Sequence, residues 1–76
     1  MKINEALNDI HNEACRAAKL YPSFVSYHEG YAVLKEEVDE LWDEIKKSKP
    51  GANSEKIKKE AIQVGAMALR FLVDLC

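Results

Sequence analysis

Apolar residues recur at a spacing near 3.6 over three stretches of the chain, which predicts three α-helices and an all-α fold. The first runs roughly from Asn4 to Leu20, with Asn4 as N-cap and Leu7, Ile10, Ala14, Ala17 and Ala18 on one side. Pro22 ends it, because the residue before a proline avoids the α region. The second starts at Ser26, where Ser26 and Glu29 have the spacing of a capping box. Leu34, Val38, Leu41, Trp42 and Ile45 form its apolar stripe, and it ends near Ser48, before Pro50-Gly51. Ala52-Asn53-Ser54 leads into the third, with Ser54 as N-cap and a core stripe through Ile57, Ala61, Val64, Ala68 and Leu72.

The third helix has few polar breaks. From Ala61 to Leu75 the strongly polar residues are Gln63, Arg70 and Asp74. A helix apolar over most of its circumference is buried on several sides, which three short helices in one chain cannot supply. At 76 residues the chain allows one domain. Such a domain buries only about 60% of the surface its unfolded chain exposes, and needs a staple or a partner. Cys15 and Cys76 offer neither a disulfide framework nor a Cys-x-x-Cys zinc spacing. The short connection makes helices 2 and 3 an antiparallel hairpin. The expected architecture is a three-helix chain whose hairpin completes four-helix bundles in a homodimer or homotetramer, with Arg70 pairing an acid across the dimer.

Charge narrows the partners. A net charge of −2 argues against non-specific nucleic-acid binding. No run approaches the ~18 apolar residues of a membrane span. Residues 1–15 carry Glu5, Asp9 and Glu13 and do not read as a secretory leader, so a cytoplasmic location is the expectation. The distribution is uneven. Glu29 to Glu44 holds seven acids and one base, whereas Lys46 to Lys59 holds six lysines and one acid.

At about 100° per residue, Glu37, Glu40 and Glu44 lie along one edge of the second apolar stripe, and Glu36, Asp39 and Asp43 on the outer face. On the third helix Glu60 and Gln63 share an edge, with Lys56 one turn earlier. In an antiparallel hairpin these carboxylates face each other, a costly arrangement unless a cation joins them. Magnesium suits such hard oxygen ligands and keeps waters that phosphate can replace. The plainer alternative is a solvated acidic face, since any glutamate-rich helix contains an E-x-x-E. Lys56 either contacts phosphate or pairs with Glu60. His28 either contacts phosphate or faces solvent at the helix start. Tyr21, Phe24 and Tyr27 either floor a nucleobase pocket or cover the helix ends.

Ser26-Tyr27-His28-Glu29-Gly30-Tyr31, followed by Leu34-Lys35-Glu36-Glu37-Val38-Asp39-Glu40-Leu41, resembles the opening motif of MazG-like all-α nucleoside triphosphate pyrophosphatases. Lys56 to Gln63 resembles the family's second motif, an E-x-x-D, with Gln63 in place of the aspartate. The resemblance covers residues from about 19 to 76. It implies cleavage of a nucleoside triphosphate to monophosphate and pyrophosphate, with magnesium (or manganese) held by Glu37, Glu40 and Glu60, Gln63 at the fourth ligand position, and an oligomeric assembly. An amide at position 63 can ligate magnesium but adds no charge. The alternative is therefore a catalytically weak helical oligomer that binds nucleotide or a protein partner. No residue is assigned as general base.

Overall fold

The computed structural model describes residues 1–50 and 54–76. The predicted approach to the third helix through Gly51, Ala52 and Asn53 lies outside the described residues. The chain is all-helical: α1 spans Ile3–Leu20, α2 Tyr27–Lys47 and α3 Glu55–Leu75. Ser26 caps α2 as expected, its hydroxyl accepting from the Glu29 backbone N–H at 3.1 Å. The Glu29 carboxylate reaches one residue further back than a capping box requires, accepting from the Val25 N–H at 2.9 Å. Asn4 is not a cap: α1 begins at Ile3 after Lys2, with no side-chain bond at that end. Ser54 precedes α3 but likewise makes no capping bond through its side chain.

α3 is the central element. Both α1 and α2 pack on it, and among the described residues α1 and α2 do not approach one another. α2 and α3 run antiparallel, since Gly30 lies against Phe71 and Leu75 while Glu37 and Glu40 lie opposite Glu60. A Cβ placed on Gly30 would stand 2.6 Å from Phe71 Cδ2, and one on Gly65 2.8 Å from Ile10 Cδ1. α2 therefore approaches α3 at a glycine of its own, and α1 approaches it at a glycine of α3. The core is small: Ala14, Ala17, Phe24, Ala66 and Met67, flanked by partly buried Val33, Leu34, Leu69, Phe71 and Leu75.

The buried face of α3 differs from the stripe expected from its apolar residues. Ala66, Met67 and Arg70 are its buried residues, whereas Ala61 and Leu72 of the expected stripe are exposed. Periodicity cannot choose a face on a helix that is apolar nearly all round; side-chain size and polar partners choose it. Gly65 and Ala66 allow close approach, and Arg70 and Asp74 reach partners on the α1–α2 connection. Arg70 Nη2 donates to the Pro22 carbonyl at 2.9 Å, and its guanidinium lies 4.7 Å over the Phe24 ring. Asp74 Oδ2 accepts from the Phe24 N–H at 2.9 Å and stands 3.9 Å from Arg70 Nη2. Arg70 thus finds partners within its own chain, although its Nε is buried without one.

The single chain leaves much of its apolar surface uncovered. Val38, Trp42 and Ile45 of α2 are 45%, 55% and 40% exposed, and Leu72 and Val73 of α3 more so. The accessible surface is 5719 Å², against about 4,700 Å² for a compact monomer of this mass. The radius of gyration is 13.1 Å, against about 11 Å for a compact chain of this length.

Candidate metal centre

Glu37 and Glu40 on α2 and Glu60 on α3 each offer a carboxylate oxygen, and these oxygens all lie within 4.8 Å of one another. The sequence places them there in two steps. Positions 37 and 40 are i,i+3 neighbours on one helix face, and the antiparallel seam that sets Gly30 against Phe71 brings Glu60 opposite them. The other acids of α2 behave differently. Asp39, Asp43 and Glu44 pair with Lys35, Lys46 and Lys47 of their own helix. Among the described residues no lysine or arginine forms an ion pair with Glu37, Glu40 or Glu60, and Glu60 Oε2 is buried without a hydrogen-bond partner.

The electrostatic consequence is direct. Burial, then the charges of Glu40 and Glu60, push Glu37 up to about 7. Glu60 is raised too, by burial first and then by Glu40. Three carboxylates within one small space cannot all ionise freely in low dielectric unless a cation compensates them. Oxygens on opposite sides of an octahedral magnesium are about 4.2 Å apart, given its ~2.1 Å bonds. The spacing, the all-oxygen donor set and the orphaned Glu60 oxygen therefore fit a hard divalent cation.

The cluster forms one end of a cavity of about 580 Å³ opening between α1 and α2 above α3, a volume within the range of small-molecule sites. Tyr21, Phe24, Val25, Val33 and Met67 give the cavity an apolar end. The Arg70–Asp74 contacts to Pro22 and Phe24 hold that wall in place. Tyr27 is not part of it; its ring stacks on Phe71 with centroids 6.0 Å apart.

Gln63 lines the cavity with the three glutamates. Glu13 of α1 lines the same cavity. Lys56 and His28 are exposed and do not line the cavity, and Lys56 makes no ion pair with Glu60. Two other cations do line it, Arg16 of α1 and Lys59 of α3. Arg16 and Glu13 were not singled out by the sequence, because the α1 spacing says nothing about which of its faces meets α3. The contact of Gly65 with Ile10 is the signal that decides it. No protein-family model, curated protein or solved structure matches the chain.

Proposed function

We propose that this chain is a magnesium-dependent nucleotide pyrophosphohydrolase, cleaving a nucleoside triphosphate or related nucleotide to monophosphate and pyrophosphate. The observation that carries this reading is the convergence of Glu37, Glu40 and Glu60, with no ion pair to a lysine or arginine among the described residues, at one end of a cavity with an apolar other end. It agrees with the motif resemblance at the same residues. Glu37, Glu40 and Glu60 would hold magnesium, or manganese, with Gln63 beside them. The bound cation would neutralise phosphate charge and make an attacking water more acidic. Phosphoryl transfer asks a protein mainly for positioning and charge neutralisation. Arg16 and Lys59 supply cationic groups for phosphate on the cavity wall. The end formed by Tyr21, Phe24, Val25 and Met67 supplies apolar surface for a base. Lys56 and His28, outside the cavity wall, could reach only phosphate projecting from its mouth.

A nucleotide panel assayed for pyrophosphate release, with and without magnesium, tests the reading. Glu37→Gln and Glu60→Gln should abolish release, and Glu36→Gln on the outer face should leave it within about twofold, as for a solvated surface site. Equal losses from Glu36→Gln and Glu37→Gln would sink it. A second reading, nucleotide binding with little or no turnover, is favoured by the neutral Gln63 that lines the cavity beside the three glutamates. It predicts nucleotide-dependent thermal stabilisation without pyrophosphate release.

Assembly belongs to the same proposal. Val38, Trp42 and Ile45 on α2 and Leu72 and Val73 on α3 form exposed apolar positions that a second copy would cover. The excess surface over a compact monomer, about 1,000 Å², is close to the ~800 Å² that each partner buries in a standard interface. A homodimer, or a homotetramer built from it, completes the helical bundle in this reading.

A further inference from the structure

One face of α2 runs the length of the cavity: Glu29, Val33, Glu37 and Glu40 all line it, at i, i+4, i+8 and i+11. Glu37 and Glu40 mark the cluster end. Glu29 marks the other, because its Oε1 accepts at 2.9 Å from the N–H of Val25, one of the apolar residues there. Glu29 and Glu37 stand about 12 Å apart along the helix axis, at ~1.5 Å per residue. A sugar and a base ring bridge such a gap from a phosphate held at the cluster. Most backbone donors at the Glu29 end are taken. The N–H groups of Tyr21, Phe24 and Val25 are bound by the Ala17 carbonyl, Asp74 and Glu29, and Pro22 has none. Ser23 brings an N–H and a hydroxyl, and Tyr21 a hydroxyl; a hydroxyl donates or accepts as its partner requires. Glu29 is different. A carboxylate offers acceptors only, and among the described residues one hydrogen bond engages this one, leaving Oε2 without a partner.

We infer that Glu29 is the base-reading residue of the site: its free oxygen accepts from the exocyclic amino group of a base, so the chain takes amino-bearing nucleotides in preference to their oxo counterparts. The inference rests on the nucleotide reading of the cavity and deepens it. Cytosine carries an amino donor where uracil carries a carbonyl acceptor, and adenine and hypoxanthine differ in the same way. An acceptor facing that position bonds the amine and repels the carbonyl. The ring N–H of uracil lies between two carbonyls and meets the carboxylate only alongside them. Hydrogen bonds to an ionised acceptor are roughly twice as strong as neutral ones, so the Ser23 N–H, which favours a carbonyl, is outweighed. The bond to Val25 holds the carboxylate in place before a base arrives. Ser26 fixes the turn of α2 that carries it, its hydroxyl accepting from the Glu29 N–H at 3.1 Å. One residue thereby closes α2 and reads the ligand.

The test compares kcat/KM for pyrophosphate release from cytidine, uridine, adenosine and inosine triphosphate, in wild type and in Glu29→Gln, with helix content checked by circular dichroism. Titration calorimetry with non-hydrolysable methylene analogues of the same four nucleotides gives the comparison for a protein that binds without turnover. Wild type should favour cytidine over uridine and adenosine over inosine by about tenfold, the lower end of what one hydrogen bond to a charged group supplies, since Glu29 is exposed. Glutamine keeps the bond to Val25 through its carbonyl and turns an NH₂ donor outward in place of the free oxygen. Glu29→Gln should therefore reverse both preferences, a result that loss of the cap alone would not give. Equal handling of amino and oxo nucleotides by wild type overturns the inference while the pyrophosphohydrolase reading stands, and needs no variant that folds. A preference that Glu29→Gln leaves unchanged overturns it too. Wild type that neither cleaves nor binds any of the four with magnesium present removes the functional reading and the inference together.

Discussion

Asp74 accepts the backbone N–H of Phe24 at 2.9 Å across fifty residues of sequence, fixing the α1–α2 connection onto the last turn of α3. The same oxygen stands 3.9 Å from the Arg70 guanidinium, whose Nε is buried without a partner. Asp74→Ala would remove the only counter-charge paired with this buried guanidinium among the described residues and leave a part-buried N–H without its acceptor. Removing one partner of a buried pair costs about 3–5 kcal/mol, and the exposed edge of this one brings the expectation to roughly 2–3 kcal/mol. Urea unfolding of the variant checks it. A loss below about 0.5 kcal/mol, the range of ordinary surface changes, would mean that the connection is held by other contacts.

Gly30→Ala has two opposed effects. An exposed helical glycine replaced by alanine gains about 1 kcal/mol in helix propensity. Here the new methyl would meet Phe71 Cδ2 at 2.6 Å and Leu75 Cδ1 at 3.0 Å. Overpacking of this kind costs about 1–3 kcal/mol, so a net destabilisation of roughly 1 kcal/mol is expected. Thermal melts should show it as a fall of about 4–8 °C. A more stable variant would mean that α2 and α3 separate easily at this point.

The cluster makes stability depend on pH in a definite direction. The Glu37 carboxyl is pushed up to about 7 in the fold from the 4.5 of a free glutamate, so the fold favours its neutral form. That contribution is fully present below about pH 4.5 and is lost as pH rises through about 7. With solvent screening allowed for at this partly exposed group, chelator-treated protein should lose roughly 1–2 kcal/mol over that interval. Magnesium should flatten the decline, and Glu37→Gln should remove it. Melting curves between the two pH values in chelator would refute the coupling if they superimpose.

Exposed Trp42 reports on assembly. Its ring is 55% exposed in the single chain, with Lys46 Nζ 5.8 Å from the ring centre. If a second copy covers α2, Trp42 fluorescence should shift to the blue as micromolar protein associates. Val38→Lys should then give a monomer by sedimentation, since it puts a charge at a buried interface position. Monomeric wild-type protein with a fully solvated Trp42 would contradict the shared bundle.

Much of this architecture is legible in the chain. The Ser26 cap, the break at Pro22 and the three apolar periods place the helices to within about two residues. The antiparallel hairpin follows from its short connection, and with it the meeting of Glu37, Glu40 and Glu60. What is not legible is rotation. Leu72 reads as core and lies outside, whereas Arg70 reads as an interruption and lies inside, because a carbonyl at Pro22 and a ring at Phe24 await it. Glu13 and Arg16 look like an ordinary i,i+3 surface pair until Gly65 shows which side of α1 meets α3. Such choices depend on residues far apart in the chain, and local spacing does not encode them.

Because α1 and α2 dock on α3 and not on each other, the first two helices have nothing to fold against while the chain is being made. A nascent chain ending before Glu55 carries two amphipathic helices with their apolar sides open to water, a form that invites chaperones or aggregation. At ~5–20 residues per second, the 21 residues of α3 take about 1–4 s to synthesise, and only then does a core exist. Folding is therefore deferred to the end of that interval, when one helix recruits both of its predecessors. Truncation within α3 should accordingly yield an unfolded, protease-sensitive chain, not a smaller folded one.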